Sequence, residues 1–257
     1  MDYAVVAVVA GLASCLTFFT GFGLGTLLLP AFAVFFPVPV AVALTACVHF
    51  LNGLFKLALV GRRASWPVVI RFGVPAAIAA LGGAAVLRWL GDLSPIASYQ
   101  LGGGTFDIEP VKLAIAVLMI GFAIIELSRR VKEASVSVRW LPVGGIVSGF
   151  FGGLSGHQGA FRSVFLLRAG LDKAGFVATG VVIATLIDVA RLSVYFTGDA
   201  LGHVRANLWI VVAGVGAAFL GAYVGSRLLE KTTLGGIQKA VAVGLIVIAI
   251  ALGAGLI

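Results

Sequence analysis

Apolar residues occupy long stretches of the chain, and polar residues gather in the short segments between them. Six stretches approach the length of about 20 residues that a helix needs to cross a membrane. They lie at 40–59, 70–87, 112–127, 174–196, 207–226 and 238–256. Each predicts one transmembrane helix. The longest connection, 88–111, contains three consecutive glycines and indicates an exposed loop.

Two further apolar regions, 3–36 and 141–169, are interrupted by glycine-rich sequence. Each region is too long for one crossing and short for two. Glycine clusters inside a membrane segment open the backbone, which must then be shielded by protein or line a polar cavity. Each interrupted region is therefore either a re-entrant hairpin or a pair of short spans, and the sequence leaves both alternatives open.

The composition agrees with a membrane protein. Of the 257 residues, 61% are hydrophobic and 11% are charged, whereas a soluble domain carries about 25% charged residues. This excludes a cytosolic enzyme, a DNA-binding domain and a disordered regulator. The 18 basic and 10 acidic residues give a net charge of +8, which in a membrane protein indicates basic cytoplasmic loops.

The interrupted regions begin two halves of similar layout, 1–132 and 139–257, each with a broken segment followed by three helices. Three of the 18 basic residues, Lys56, Arg162 and Arg191, fall inside predicted spans. If each broken segment returns to the side it entered, twelve of the other fifteen lie on one side of the membrane and three on the other. If each crosses, the division is eight to seven. We therefore expect an all-α polytopic membrane protein of two inverted repeats in a single integrated transmembrane domain, with the N-terminus outside.

A short helix is predicted to begin after each break, near Gly25 and Gly159. A helix N-terminus offers free N–H groups and about half a positive charge, so two such ends that approach from opposite faces predict an anion site at mid-membrane. The alternative is that the glycines only permit tight helix packing. The candidate substrate-binding residues of the breaks are Thr20, Gly21, Gly23, Gly25, Ser155, Gly156, His157, Gln158, Gly159 and Arg162.

Arg162 and His157 carry the most distinctive chemistry of these candidates. A charge such as that of Arg162 costs several kcal/mol inside a membrane unless it is paired or hydrated. Arg162 therefore either contacts the substrate anion or pairs with Asp188 or a carbonyl group. His157 either binds the anion, relays a proton or caps the helix.

The predicted helix 40–59 bears a polar stripe on one face, which consists of Thr45, His49, Asn52 and Lys56. Such a stripe must face a cavity or a neighbouring helix. His49 and Asn52 lie near the middle of the helix and are added to the substrate-binding candidates, whereas Lys56 can reach the cytoplasmic surface.

Asp188 is the one carboxylate that falls deep within a predicted span. It either carries a coupling proton or forms a structural ion pair with Arg191, one turn away. The sequence contains no metal-ligand motif and no nucleotide-binding motif. We expect no catalytic residue, no metal and no cofactor.

The two glycine-rich motifs, GFGLGTLLLP at 21–30 and GLSGHQGAFR at 153–162, resemble those of the TauE/SafE sulfite exporter family. Members of this family are small, internally duplicated permeases with such a motif near the start of each half. The resemblance implies export or uptake of sulfite, sulfoacetate and related anions. The second motif departs from the family pattern at His157-Gln158, where glycines are usual, and at the added charge of Arg162.

The sequence thus predicts a secondary transporter, not an enzyme, for a small anion such as a sulfur-containing oxyanion or organosulfonate. It would work by alternating access, with or without proton coupling. A passive anion channel, a membrane-embedded enzyme and a scaffold are the alternatives. We expect a multi-pass protein of the bacterial inner membrane, whose partners are the anion and the lipid bilayer and not nucleic acid. The oligomeric state stays open, with a homodimer as one alternative.

Overall fold

Helices form most of the regular structure, as the apolar stretches predict. The structure is a computed structural model that describes residues 2–20, 24–128, 136–197, 200–228 and 235–257. The helices are α1 (Asp2–Thr20), α2 (Leu24–Ala33), α3 (Val38–Val60), α4 (Trp66–Gly91), α5 (Pro110–Leu127), α6 (Leu141–Ser155), α7 (Gly159–Leu166), α8 (Lys173–Tyr195), α9 (Ala200–Ala206), α10 (Leu208–Leu228) and α11 (Gly235–Gly253).

Three helices in the described part of the chain are long and apolar enough to cross a membrane, namely α4, α8 and α3 with its 3₁₀ extension to Arg63. Shorter apolar helices lie within α1, α2, α5, α10 and α11. Large apolar side chains also cover much of the outside, including Val117, Leu220 and Val243. An apolar exterior of this kind matches lipid and not water, so the protein is embedded in a membrane.

Both interrupted regions consist of two helices, as their glycine-rich centres predict. The first region divides into α1 and α2, and the second into α6 and α7. Gly156 ends α6 with a φ of 81°, a left-handed conformation that favours glycine. The 15 residues of α6 extend about 22 Å at the usual helical rise. A helix that begins at the membrane surface and has this length ends inside the hydrocarbon layer, which is about 30 Å thick.

The closest helix packing joins the two halves of the chain. Helix α6 lies against α4, and α1 lies against α10. Glycines at every fourth position of α6 face backbone carbonyls of α4, an arrangement in which small residues let two helices approach closely. The facing pairs are Gly145 with Phe72, Gly149 with Ala76 and Gly153 with Ala80, and Gly221 of α10 faces Gly11 of α1 in the same way.

The helix pairs follow a two-fold pattern. If each helix is exchanged with its counterpart in the other half, the pair α4–α6 becomes the pair α10–α1. The pairs α3–α8 and α5–α11 each map onto themselves. The main helix contacts are thus unchanged by this exchange.

The segment 88–111, which the sequence predicts to be a loop, contains a β-hairpin. Strands β1 (Ala97–Leu101) and β2 (Gly104–Ile108) pair antiparallel. Gly102 and Gly103 join them with φ values of 59° and 83°, the left-handed pair that a tight hairpin turn needs. The Tyr99 hydroxyl donates a 2.7 Å hydrogen bond to the carbonyl of Ala254, so the hairpin lies on the end of α11.

Helices α4 and α8 lie side by side and run in the same direction. At one end, the backbone N–H of Ser65 donates to Thr179 Oγ1 over 2.9 Å. At the other end, Arg88 Nη1 donates to Thr197 Oγ1 over 2.6 Å. Both ends of the pair are thus held together across the two halves.

The glycine packing between α4 and α6 can be tested with two neighbouring glycines. A methyl group on Gly83 would collide with the carbonyl oxygen of Phe150, whereas one on Gly82 meets nothing within 4 Å. We expect Gly83→Ala to destabilise the protein by about 1–3 kcal/mol through overpacking. Gly82→Ala should be neutral or stabilising by up to about 1 kcal/mol. Thermal unfolding of the purified variants measures both, and equal melting temperatures would contradict the close packing.

Candidate functional site

The start of α2 contacts the break between α6 and α7. A Cβ atom on Gly25 would lie 3.4 Å from the carbonyl oxygen of Gly156 and 3.8 Å from Thr45 Cγ2. The N-terminal end of α2, the second break and the polar face of α3 therefore meet at one place. The sequence predicts this meeting from the paired glycine motifs.

Three side chains of the second motif have buried polar atoms without partners. Both polar atoms of the Gln158 side chain, Nε2 of His157 and Nη1 of Arg162 have no hydrogen-bond partner among the described residues. Leaving such a group buried and unpaired costs about 1–3 kcal/mol. A group that supplied the missing partners would remove that cost.

The imidazole of His157 is fixed in both orientation and tautomer. Its ring stacks on Phe122 with centroids 5.0 Å apart and an angle of 14° between the planes. Nδ1 lies 3.0 Å from Ser155 Oγ, and Ser155 Oγ donates its own hydrogen to the carbonyl of Phe151. Nδ1 must then be the donor, so Nε2 of the neutral ring is an acceptor.

Arg162 extends from α7 towards α8. Its Nε would lie 3.5 Å from a Cβ atom on Gly180, so the missing side chain at Gly180 leaves room for the guanidinium. The sequence leaves open a pairing of Arg162 with Asp188. The hydrogen-bond partners of Asp188 are instead His49 and Arg191.

Asp188, Arg191 and His49 form a buried network between α8 and α3. Asp188 Oδ2 lies 2.6 Å from His49 Nδ1. Its other oxygen accepts from Arg191 Nε over 2.9 Å and lies 2.7 Å from Nη2. The ion pair of Asp188 with Arg191, which the sequence raises as one alternative, is present. The contact of Asp188 with His49 joins residues on opposite halves and has no signal in local spacing.

Arg191 also reaches the break itself. Its Nη1 lies 3.5 Å from the carbonyl of Gly152 and 2.9 Å from the position of a Cβ atom on Gly156. Tyr195, one turn further along α8, donates its hydroxyl to the carbonyl of Gly153. Donors near the last carbonyls of a helix stabilise its C-terminal end. Sequence reasoning missed Tyr195, although its spacing of four from Arg191 places both on one helix face.

The remaining predicted residues divide between buried positions and positions that the structure does not describe. Asn52 and Thr45 are buried on α3, and each has one side-chain oxygen without a partner among the described residues. Gly159 is the first residue of α7. The predictions for Gly21 and Gly23 lie outside the described residues. Thr20 is the last residue of α1, and its side chain also lies outside the described part.

The fold and this arrangement define a polytopic helical membrane protein whose two broken segments meet at a polar site. Residues 6–252 match the family described as Sulfite exporter TauE/SafE. The chain belongs to this family, whose members transport sulfite or related anions across membranes. No curated protein and no solved structure matches the chain. Within the described residues, no group of three or more His, Cys, Asp or Glu residues could hold a metal ion.

The buried ion pair can be tested by removing one partner. We expect Asp188→Asn to lower the stability by about 3–5 kcal/mol, because it leaves the charge of Arg191 buried and uncompensated. The double variant Asp188→Leu/Arg191→Met should regain part of this loss, since neither charge remains. Thermal unfolding of the purified proteins measures both effects.

A surface pair with the same spacing serves as the control. Glu109 and Lys112 lie 3.0 Å apart and are partly exposed, so Glu109→Gln should cost no more than about 1 kcal/mol. If Asp188→Asn melts at the same temperature as Glu109→Gln, the pair at Asp188 is not a structural element.

Proposed function

We propose that this protein is a secondary transporter of a small sulfur-containing anion, which binds where the two broken segments meet. One observation carries the proposal, namely the cluster of buried, unpartnered polar atoms on His157, Gln158 and Arg162 beside the start of α2. A guanidinium group and a helix N-terminus both favour anions. The family membership supports the same class of substrate.

The hydrogen-bonding groups of the site narrow the substrate further. Arg162 and the Gln158 amide nitrogen are donors and suit the oxygens of a sulfite or sulfonate group. Nε2 of His157 and the Gln158 amide oxygen are acceptors, which a fully deprotonated oxyanion cannot satisfy. The preferred substrate therefore brings an O–H or N–H of its own, as hydrogen sulfite and taurine do.

The inverted arrangement of the two halves, 1–132 and 139–257, is part of the proposal. The contacts of Ser65 with Thr179, of Arg88 with Thr197 and of the hairpin with α11 support it. If the segment 141–169 crossed the membrane, each of these contacts would join groups on opposite sides. They are compatible with a segment that returns to the side it enters, as in an inverted repeat.

The proposed mechanism is alternating access around the meeting point of the breaks. Inverted repeats can exchange conformations, which opens the same central site to one side of the membrane and then to the other. The positive-inside distribution of basic residues places the N-terminus outside a bacterial inner membrane. Transport then proceeds without hydrolysis of a nucleotide, driven by the gradients of the substrate and of a coupling ion.

Flux through proteoliposomes tests the function. Purified protein should transport sulfite or taurine in preference to sulfate, with thiosulfate and sulfoacetate completing the panel. No flux of any of these anions would refute the proposal. A conductance too high for alternating access would indicate a passive channel, and turnover of a bound lipid would indicate an enzyme.

A charge variant locates the site in the same assay. Arg162→Gln should weaken substrate binding at least about tenfold, because a hydrogen bond to a charged group contributes about 1.5–3 kcal/mol. Arg168→Gln is the matched control, because Arg168 is exposed beyond the end of α7. Circular dichroism checks that both variants are folded, and unchanged affinity in Arg162→Gln would remove Arg162 from the site.

Labelling of single cysteines tests the topology. Ser137 and Lys173 are exposed and flank the segment 141–169. After replacement of Cys15 and Cys47, the substitutions Ser137→Cys and Lys173→Cys should both be protected from a membrane-impermeant reagent in whole cells and labelled in inverted vesicles. Labelling from opposite sides would establish a segment that crosses the membrane and a parallel repeat.

A further inference from the structure

We infer that His49 is a proton-binding site, and that proton binding there favours anion binding at the break through Asp188 and Arg191. The inference rests on the proposed anion transport and adds a coupling ion and its location. His49 lies on α3, in the first half of the chain, whereas Asp188 and Arg191 lie on α8, in the second. The site therefore exists only where the two halves meet.

The hydrogen bond between His49 and Asp188 determines where the proton would go. A carboxylate can only accept, so Nδ1 of His49 must carry the hydrogen of the 2.6 Å bond to Asp188. Nε2 of the neutral ring then holds a lone pair and is the atom that takes up a further proton. Asp188 and Arg191 are fully buried, whereas the side chain of His49 is 18% exposed. Of the three side chains, that of His49 is thus the one with surface that the protein leaves uncovered, through which a proton would enter.

The charges of the network explain why proton and anion would bind together. With a neutral His49, the charges of Asp188 and Arg191 cancel, and a proton on His49 leaves one uncompensated positive charge. An anion at the break reduces the cost of that buried charge. Such coupling between two ligands is reciprocal. A bound anion therefore also raises the affinity of His49 for the proton.

The surroundings of the network add to the positive charge. Two neutral side chains, Tyr195 of α8 and Cys47 of α3, lie within electrostatic reach of Asp188 and Arg191. Arg162 lies within electrostatic reach of both Asp188 and Lys56. Arg162 thus adds a positive charge close to the Asp188 carboxylate, and an anion at the break would lie near this charge as well.

Arg191 links the network to the geometry of the break. It bonds to Asp188 on one side and extends to the carbonyl of Gly152 and to Gly156 on the other. Protonated His49 attracts the Asp188 carboxylate more strongly than neutral His49 does. This attraction competes with that between Arg191 and the same carboxylate. Arg191 is thus a positioning residue that can transmit the charge state of His49 to the break.

The test measures anion binding at two pH values with a probe of constant charge. Isethionate suits this purpose because its sulfonate stays ionised and its hydroxyl is a donor. In the purified full-length protein, calorimetry should show an affinity about fivefold or more higher at pH 5 than at pH 8, because the proton and the anion favour each other's binding. The variant His49→Gln should bind isethionate with the same affinity at both pH values.

A matched histidine variant and the wild-type protein complete the design. His203→Gln should keep the full pH dependence, because His203 is exposed on the short helix α9. When isethionate is added to the wild-type protein in weak buffer near pH 6.5, the protein should take up protons from the solution. This measurement needs no variant. His49→Asn provides a second neutral substitution should His49→Gln not fold.

The outcomes separate this inference from the proposed function. If the wild-type protein binds isethionate equally at both pH values, takes up no proton, or keeps its pH dependence in the His49 variants, the inference is wrong and anion transport still stands. Retained dependence would point to His157 as the proton acceptor. Absence of binding and of flux for every anion of the panel would overturn both.

Discussion

A helix that ends inside a membrane leaves its last carbonyl groups without intrahelical partners, and lipid cannot supply any. Helix α6 ends at Ser155, which is buried inside the protein. Arg191 and Tyr195, both on α8, reach the carbonyls of Gly152 and Gly153 near its end. A buried arginine in turn requires a counter-charge, which Asp188 supplies. The end of α6 is thus connected through Arg191 to the ion pair on α8 and, through Asp188, to His49.

The spans and the breaks could be predicted from the sequence because both are local features. Apolar length predicts each long helix to within a few residues, and glycine clusters predict that each interrupted region divides into two helices. The segment 88–111 was harder to predict. Its glycines indicate a turn, but the pairing of Tyr99 and its neighbours with β2 depends on support from α11, which is distant in sequence.

The site could be predicted as a set of residues but not as a set of contacts. Spacing on α8 suffices to pair Asp188 with Arg191, because residues three apart share a helix face. The bond between His49 and Asp188 joins positions 139 residues apart and depends on how α3 crosses α8. The same holds for the stacking of Phe122 on His157, which fixes the orientation of the ring.

The two halves contribute different charged residues to the site, although the contacts between their helices follow a two-fold pattern. The second half supplies Asp188, Arg191 and Arg162, whereas the first half contributes His49 to the same network. An inverted repeat with identical halves would have inward-open and outward-open states of equal energy. Unequal charges remove that equality, because the charged break is shielded differently in the two states. A proton on His49 then changes the balance by one full charge, so the asymmetry of the sequence supplies the means by which a gradient can drive the cycle.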